Sequence, residues 1–366
     1  VLEAMLPYLK EHFGNPSSTT HAFGWTAGAA VDLAREELAA SIGASPEEVT
    51  FTGGATESNN LALLGLLRPG DHLVTAATEH EAILEPAHYL AHAGVRVSVL
   101  PVDGYGIVSR DALDEAIEPE TKLVSIMFAN NETGTINPIR ELVEVAHERG
   151  VPFHTDAAQA LVKIPLDVED LGVDMMSVSA HKCYGPKGMG AIYTRWRPVP
   201  GVRRVHLEPL LRGGVQERGL RSGTLNVSGI VGLGRAASIG VTALHEEAER
   251  ISGLRDELFV RLRTGVPGLQ LNGHPEQRLP GTLNVSFPGL DVGDLLGTLP
   301  DVAASAGSAC ASLNSEPSHV LKAMGLADET AATVRFGLGR FTTPAEIERA
   351  ADLVVRTAGE LEASVP

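Results

Sequence analysis

Short apolar segments alternate with helical segments through much of the first half of the sequence, and this alternation restricts the fold more than any other feature. Segments at Ser58–Leu67, Ile83–Ala93, Arg110–Ala116 and Ile139–Arg149 are predicted to be helices. The strands predicted around them are Val49–Thr52, His72–Ala76, Val95–Leu100, Leu123–Phe128, Pro152–Thr155, Met175–Val178 and Ala191–Thr194. This alternation is typical of an α/β fold in which helices cover both faces of a mostly parallel sheet. We therefore expect a mostly parallel seven-stranded sheet.

The pattern changes beyond about residue 236. A long stretch with charges at helical spacing, Ala243–Thr264, is followed by shorter segments that alternate in character. These are strand-like Thr282–Phe287, helical Val292–Leu299, the small-residue stretch Ala303–Ser312 and strand-like Thr333–Gly337. We expect a large α/β domain over residues 13–240 and a small α+β domain formed by residues 1–12 and 241–366.

Charge and cysteine content exclude several classes of protein. The net charge of −17 argues against direct binding to nucleic acid, although a basic protein partner remains possible. No uninterrupted apolar stretch of membrane-spanning length and no signal-peptide pattern is found, so no membrane association is expected. Two cysteines, Cys183 and Cys310, indicate no disulfide framework, and a reducing cytoplasm fits best.

Lys182 follows the predicted strand Met175–Val178 almost directly. Burying an ammonium group at the inner end of a strand is costly unless its charge is lost or paired. A buried lysine has a lowered pKa, and its neutral amine can attack an aldehyde to form a Schiff base. Pyridoxal phosphate is an aldehyde cofactor that enzymes hold in this way, so Lys182 is a candidate for its attachment.

Other residues suited to such a cofactor also follow predicted strands, and open parallel sheets bind ligands at that edge. The glycine-rich turn Gly53-Gly54, with the hydroxyls of Thr56 and Ser179, can bind a phosphate at a helix N-terminus. Asp156 can pair with a pyridinium nitrogen. A plain glycine turn and a helix N-cap aspartate are the alternatives.

Three further residues are candidates for the cofactor or the substrate. His80 can stack on a cofactor ring and exchange protons. Asn131, after Leu123–Phe128, can donate to a ring oxygen or a substrate carboxylate, and Arg335 can bind an amino-acid carboxylate. Taken alone, His80 is interpreted as an ordinary histidine, while a turn asparagine and a surface arginine are the alternatives for Asn131 and Arg335. Their agreement on one sheet edge favours a cofactor site.

Cys310 lies in a stretch, 306–315, that consists almost entirely of small and polar residues. Such a stretch has too little apolar surface to pack firmly, so we expect a flexible loop with a reactive thiol. The alternative is a small buried side chain. Cys183, beside Lys182, is expected to be structural.

The chain resembles the cysteine desulfurases, pyridoxal-phosphate enzymes of the class V aminotransferase family, over nearly its whole length. The resemblance implies a fold-type I pyridoxal-phosphate transferase. The Gly307–Cys310 loop, followed by Glu316–Ser318, is similar to the subgroup that feeds iron–sulfur cluster assembly and tRNA thiolation. The other segments that carry the resemblance are Phe13–Ser18, Gly54–Asn59, Thr78–His80, Asn130–Gly134, Asp156–Gln159, His181-Lys182, Arg221–Thr224 and Arg335–Arg340.

The resemblance implies a role in cofactor binding for each matching residue. Lys182 would carry the cofactor, Asp156 would contact its pyridinium nitrogen, and Gln159 would bond its ring hydroxyl. His80 would stack on the ring and Asn131 would also contact the cofactor. The phosphate would be held by Ala55, Thr56, Ser179 and His181, with Thr224 supplied by the other subunit of a homodimer.

The resemblance also implies the chemistry. Asn131 and Arg335 would bind the carboxylate of L-cysteine, while Lys182 and His80 would move protons. Cys310 would take the sulfur as a persulfide, leaving alanine, and pass it to a sulfur-acceptor protein such as an iron–sulfur scaffold. Cys310 would also be a candidate transient ligand of an iron–sulfur cluster.

Three alternatives accompany this reading. A selenocysteine lyase or another class V aminotransferase would use the same fold, because one fold serves many chemistries. A simple aminotransferase, however, needs no mobile thiol. A non-catalytic scaffold is disfavoured because Lys182, Asp156 and Cys310 are all present.

Overall fold

A seven-stranded sheet organises the first of two structural units in the computed structural model, which describes residues 1–307, 318–326 and 331–364. The strands lie in the order β1-β7-β6-β5-β4-β2-β3, and β7 alone runs antiparallel to its neighbours. The mostly parallel sheet predicted from the sequence is therefore confirmed. The strands are β1 (Val49–Thr52), β2 (His72–Ala76), β3 (Arg96–Leu100), β4 (Thr121–Ser125), β5 (Phe153–Asp156), β6 (Met175–Ser179) and β7 (Gly190–Thr194).

Helices accompany these strands in the expected alternation. Every residue of β1, β2, β5 and β6 is buried, as expected for parallel strands covered on both faces. The buried face of the helix at 139–148 shows why such segments are helical: its apolar residues recur every three or four positions. The helices are α1 (Leu2–Lys10), α2 (Ala22–Ser41), α3 (Ala55–Leu64), α4 (Glu81–His92), α5 (Arg110–Ala116), α6 (Ile139–Glu148), α7 (Val168–Leu171) and α8 (Val227–Gly265).

The second unit has a four-stranded antiparallel sheet in the order β10-β11-β9-β8. Its core is formed by apolar residues of β9, β11 and the helices of this unit, with Phe287 and Val354 fully buried. The strands are β8 (Gln270–Leu271), β9 (Thr282–Pro288), β10 (Ser305–Ala306) and β11 (Ala331–Gly337), and the helices after α8 are α9 (Val292–Gly297), α10 (His319–Ala323) and α11 (Pro344–Ser364).

The two units are divided differently from the predicted domains. Unit 1 comprises Val1–Leu100, Ser109–Phe128 and Pro138–Leu244, and unit 2 comprises Pro101–Val108, Ala129–Asn137 and His245–Pro366. Residues 1–12, predicted to join the small domain, thus belong to unit 1. The reason is packing of α1 on α8: a β carbon at Gly232 would lie 2.7 Å from the Met5 sulfur. Residues 101–108 and 129–137 were predicted in the large domain and lie in unit 2.

One helix, α8, is long and apolar enough to cross a membrane by length and composition alone. Half of the qualifying stretch is buried inside the protein. One such helix among the described residues is weak evidence for a membrane span, because the core helices of many globular proteins pass the same test.

A buried ion pair holds a strained turn against the edge of the unit 1 sheet. Glu217 and Arg218 have φ of 46° and 56°, in the left-handed region that costs energy for residues other than glycine. The Glu217 carboxylate accepts from both terminal nitrogens of Arg35, at 2.8 and 2.6 Å, and from the Phe51 N–H at 2.8 Å. The Arg35 guanidinium also lies over the Phe51 ring. These contacts stabilise the strained backbone conformation of Glu217 and Arg218.

Replacing Glu217 with Gln should lower the free energy of unfolding by about 3 kcal/mol or more, because it leaves the Arg35 charge buried without its counter-charge. The measurement is the urea midpoint and m-value by circular dichroism. Glu118→Gln is the matched control, since it breaks an ion pair with Arg96 in which both side chains are exposed and solvent screens the attraction. Equal shifts in both variants would contradict a special role for the buried pair.

Candidate active site

Asp156 is a buried carboxylate at the carboxyl end of β5, and two donors hold it. The Asn59 side-chain amide donates to Oδ2 at 2.6 Å, and the Ala158 N–H donates to Oδ1 at 2.9 Å. Burial raises the pKa of Asp156, while these donors and the positive charges of His80 and Lys182 act to lower it. The helix N-cap expected as an alternative is not formed, since residues 158–163 adopt turns rather than a helix. The carboxylate therefore lies at a strand end with cationic neighbours, as a pyridinium partner requires.

The turn between β1 and α3 reaches the same sheet edge. Gly54 has φ of 146°, which is accessible to glycine alone, and it precedes the first helical residue Ala55. A β carbon at Gly190 would lie 2.6 Å from the Gly54 Cα, so only glycine permits this close approach of β7. Gly190 is paired with Ser179 at the end of β6. The first turn of α3 and Ser179 are thus brought to the same edge of the sheet.

The surroundings of His181 suit an anion. Its Nδ1 lies 2.8 Å from the Ser179 hydroxyl. Partial burial lowers the pKa of His181, and the charges of Lys182, Lys187 and Lys163 lower it further. Three ammonium groups acting on one ring, beside a helix N-terminus, create a positive potential that favours a phosphate.

Lys182 is exposed, and the expectation that it is buried at the inner end of a strand is wrong. The strand β6 ends at Ser179, and a short 3₁₀ turn over Ala180–Lys182 carries the lysine off the sheet. An exposed amine avoids the cost of burying its charge and can be reached by a ligand. Cys183, next to it, is buried, and its thiol donates to the Ala180 carbonyl at 3.1 Å.

His80 and Gln159 each have one polar atom committed to the protein. His80 is exposed and precedes α4, where its Nδ1 accepts the Ala82 N–H at 3.0 Å. Its Nε2 is therefore the ring nitrogen that faces other partners. The Gln159 carbonyl oxygen accepts from the Lys163 ammonium at 2.8 Å. This contact orients the Gln159 amide so that its NH₂ group points away from Lys163 and suits an acceptor such as a ring oxygen.

In unit 2, the segment that contains Asn131 is held by side chains from distant parts of the chain. Three consecutive carbonyl oxygens, at 131–133, accept hydrogen bonds from such side chains. The donors are Arg335 to Asn131 at 2.8 Å, Asn284 to Glu132 at 3.1 Å and Arg278 to Thr133 at 2.9 Å. Asn131 and Arg335, both predicted to bind the substrate, are thus brought together, and the remaining N–H groups of Arg335 can bind a carboxylate.

Sequence reasoning assigned no role to several residues of these clusters. Asn59 was part of a matching segment, but its contact with Asp156 joins residues 97 positions apart. Asn284 and Arg278 were not identified, although a polar residue inside the apolar run Leu283-Asn284-Val285 was a usable signal. Glu79, fully buried beside Asp156, was also without a role, and burial raises its pKa well above the ordinary value.

The structure gives no contact of Thr224 or Cys310 with the predicted cofactor residues among the residues that it describes. Thr224 is exposed in unit 1, on a segment that Arg221 ties to Glu57 through an ion pair of 3.0 Å. Cys310 and the loop predicted around it lie outside the described residues. In the part of the chain that the structure describes, no group of three or more His, Cys, Asp or Glu side chains is arranged to hold a metal ion.

The residues of unit 1 fit pyridoxal phosphate. The α3 N-terminus, with Ser179 and His181, offers donors and positive charge for a phosphate, and Gly54 leaves the approach open because nothing lies within 4 Å of where a β carbon would be. The buried Asp156 offers a carboxylate for a pyridinium nitrogen. The exposed Lys182 offers an amine for an aldehyde.

Comparison with known proteins agrees with this fit. The family model for class V aminotransferases matches residues 1–350. A cysteine desulfurase IscS of Anaeromyxobacter sp. (strain Fw109-5) is 48% identical over 371 aligned residues, covering 100% of this chain and 91% of the relative. A solved NifS-like protein superposes with a TM-score of 0.90 at 36% identity, covering 98% of this chain and 95% of its own. A structure of SspA in complex with cysteine gives a TM-score of 0.80 at 37% identity, with coverage of 93% and 95%.

The chain therefore belongs to the class V aminotransferase family, whose members use pyridoxal phosphate. Its full-length relatives place it among the cysteine desulfurases of that family.

His154, two residues before Asp156 on β5, should make folding sensitive to acid. Its ring is fully buried between the hydroxyls of Ser125 at 2.9 Å and Ser177 at 3.0 Å, and burial lowers its pKa from 6.5 to about 3. The unfolded chain protonates His154 more readily than the folded chain does. The contribution of neutral His154 to the free energy of unfolding is therefore complete above pH 6.5 and is lost as the pH falls toward 3. In this range the free energy of unfolding falls by at most about 1.4 kcal/mol per pH unit through His154.

The measurement is the urea midpoint between pH 7 and 5 for the protein and for His154→Gln. The variant should show a shallower pH dependence, whereas the exposed control His92→Gln should follow the unaltered protein. Parallel curves for all three proteins would exclude His154 as a source of acid sensitivity.

Proposed function

We propose that this desulfurase converts L-cysteine into L-alanine and keeps the released sulfur as a persulfide on Cys310. The observation that carries the proposal is the cluster at the carboxyl ends of β1, β5 and β6, where buried Asp156 lies in the field of His80 and Lys182. Similarity over the full length to cysteine desulfurases supports the substrate, as does the cysteine complex of the SspA structure. The net reaction adds one sulfur atom to the Cys310 thiol and leaves alanine.

The residues of unit 1 would hold the cofactor. Asp156 would contact the pyridine nitrogen, Gln159 would donate to the ring hydroxyl, and His80 would cover one ring face. Lys182 would be the attachment point. The phosphate would be bound by Ala55, Thr56, Ser179 and His181. When bound, pyridoxal phosphate supplies a sink for the electrons left at the substrate Cα.

The side chains of the protein would then position the substrate and move its protons. Arg335, with one N–H donated to the Asn131 carbonyl, would bind the substrate carboxylate through its remaining donors. The Lys182 amine, exposed and therefore accessible, would accept the Cα proton. The His80 Nε2 would exchange a proton with the substrate thiol or with Cys310.

Sulfur transfer would follow from attack by the Cys310 thiolate on the substrate sulfur. A sulfur–sulfur bond forms as the carbon–sulfur bond breaks. The electron pair of the broken bond stays with the substrate carbon, which takes up a proton and becomes the methyl group of alanine. The persulfide on Cys310 would then be passed to the sulfur acceptor.

The proposed working form is a homodimer in which Thr224 binds the phosphate of the other subunit. Thr224 is exposed, which suits a contact with a second chain. Large apolar side chains are also exposed on unit 1, with Phe13, Phe23 and Trp25 at 74%, 62% and 60% of their maximum. Exposed aromatic residues of this size are typical of interaction surfaces.

The sulfur acceptor would be a protein that serves iron–sulfur cluster assembly or tRNA thiolation in the cytoplasm. The net charge of −17 favours an acceptor with a basic docking surface. Cys310 is a candidate transient ligand when a cluster is assembled nearby. Selenocysteine lyase activity is the second candidate, because the same residues would bind selenocysteine.

Cys310→Ala should keep the yellow cofactor and its spectral change on adding L-cysteine, but should release no sulfide. The reason is that the thiol is needed only for the sulfur step. The assay measures sulfide and alanine with a thiol reductant present. Cys183→Ala is the control and should form both products in equal amounts. Unaltered sulfide release by Cys310→Ala would remove that residue from the mechanism, and selenide from selenocysteine without sulfide from cysteine would favour the lyase.

Mixing two inactive variants tests the homodimer. Lys182→Ala lacks the attachment lysine, and Thr224→Asp places a negative charge against the partner's phosphate. In a mixed dimer, one site combines an intact Lys182 with an intact Thr224 from the other chain, so activity should recover to about a quarter of the unaltered level. Sulfide release and mass by light scattering are the readouts. A monomeric mass, or no recovery in mixed dimers, would contradict the shared site.

A further inference from the structure

Asn59 is fully buried in α3 and points its amide group at Asp156. The nitrogen of the Asn59 amide lies 2.6 Å from the Asp156 Oδ2. The Asn59 carbonyl oxygen is also buried and has no hydrogen-bond partner among the residues that the structure describes. Among the described residues, Asp156 is the hydrogen-bond partner of the Asn59 side chain. Burying the Asn59 amide therefore costs free energy, and its hydrogen bond to Asp156 offsets part of that cost.

The orientation of this amide depends on the charge of its partner. An ionised carboxylate accepts hydrogen bonds at both oxygens and repels a carbonyl oxygen. At 2.6 Å, only the NH₂ group of Asn59 can face an ionised Asp156. A charge-assisted bond of this kind is shorter and about twice as strong as a neutral one. The contact thus favours the ionised over the neutral form of Asp156.

The other charged groups around Asp156 have opposing effects on its ionisation. His80 and Lys182 favour the anion, but both are exposed, so solvent weakens their effect. Glu79 is fully buried, and its interaction with Asp156 is repulsive when both are ionised. The Glu79 Oε1 accepts the Met127 N–H at 2.6 Å, which holds this second carboxyl group in place. The buried Asn59 amide and the partly buried Ala158 N–H are donors that oppose desolvation and repulsion.

We propose that Asn59 is a positioning residue that fixes the Asp156 carboxylate and keeps it ionised toward the pyridine nitrogen of the bound cofactor. Asn59 acts through Asp156 and does not itself touch the cofactor ring. The inference rests on the proposed contact between Asp156 and the cofactor.

Asn59→Asp in the cofactor-loaded enzyme tests the proposal. Two carboxyl groups in contact share a proton, so the negative charge available to the pyridine nitrogen falls. The cofactor Kd, measured by equilibrium dialysis, should rise about tenfold or more. The pH midpoint of the visible absorbance band should move by about one unit. Asn60→Asp is the matched control, because it makes the same substitution in the same helix at a partly exposed residue whose amide donates to the Thr56 carbonyl.

The exchange variant, Asn59→Asp with Asp156→Asn, separates positioning from folding. It restores an amide–carboxylate pair, so the thermal midpoint should recover, whereas cofactor affinity and the absorbance midpoint should not. Because the absorbance titration reports only folded, loaded protein, a loss of stability does not imitate the shift. Cofactor affinity and absorbance that are the same in Asn59→Asp and Asn60→Asp would overturn the role of Asn59.

Asp156→Asn distinguishes failure of this inference from failure of the underlying contact. If Asp156→Asn weakens the cofactor and Asn59→Asp does not, only the role of Asn59 is lost. If Asp156→Asn itself leaves affinity and absorbance unaltered, the proposed contact of Asp156 with the cofactor fails, and the role of Asn59 fails with it.

Discussion

The cost of burying the Asp156 carboxylate determines much of the local architecture of unit 1. A carboxylate removed from water needs strong donors, and Asp156 obtains them from α3 and from the turn after β5. The first turn of the same helix α3 is the proposed phosphate site. One hydrogen bond, from Asn59, therefore ties the helix that would bind the phosphate to the strand that carries the proposed pyridinium partner. The separation of these two groups is set by secondary structure rather than by flexible side chains.

Buried and exposed residues have different tasks around this fixed carboxylate. Asp156 and Asn59 are buried and held by hydrogen bonds, so their geometry is determined before any ligand binds. Lys182 and His80 are exposed, which is what groups that exchange partners and protons require. The wrong expectation of a buried Lys182 arose because a strand followed by a lysine does not reveal a turn. The 3₁₀ turn after Ser179 is short, and its residues carry no sequence signal that distinguishes it from a continuing strand.

Local patterns predicted the sheet well because strand formation in a parallel sheet depends on short apolar runs. The bounds of β1 and β2 agree with the prediction, whereas β4 lies at Thr121–Ser125 rather than Leu123–Phe128. The ends of β4 depend on pairing with Phe153 and His154, which no local pattern contains. Helix α2 was not predicted, since its buried face consists largely of small residues that give a weak signal. Strand-end residues such as Asp156 were predictable, because parallel strands bring them to one edge.

Contacts between distant residues could not be predicted, and they account for the different division into units. Residues 129–137 belong to unit 2 because Arg278, Asn284 and Arg335 bind three successive carbonyls of this segment. Burial lowers the pKa of Arg278 to about 10, yet this value leaves the guanidinium charged at neutral pH. No ion pair found among the described residues involves Arg278; the carbonyls of Thr133 and Asn272 accept from its guanidinium, and the charge of Asp256 also favours the charged form. Two charged donors, at Arg278 and Arg335, therefore hold the main chain on both sides of Glu132. If Arg335 binds the substrate carboxylate as proposed, the position of Asn131 and the binding of that carboxylate would be coupled, because both use donors of the same guanidinium.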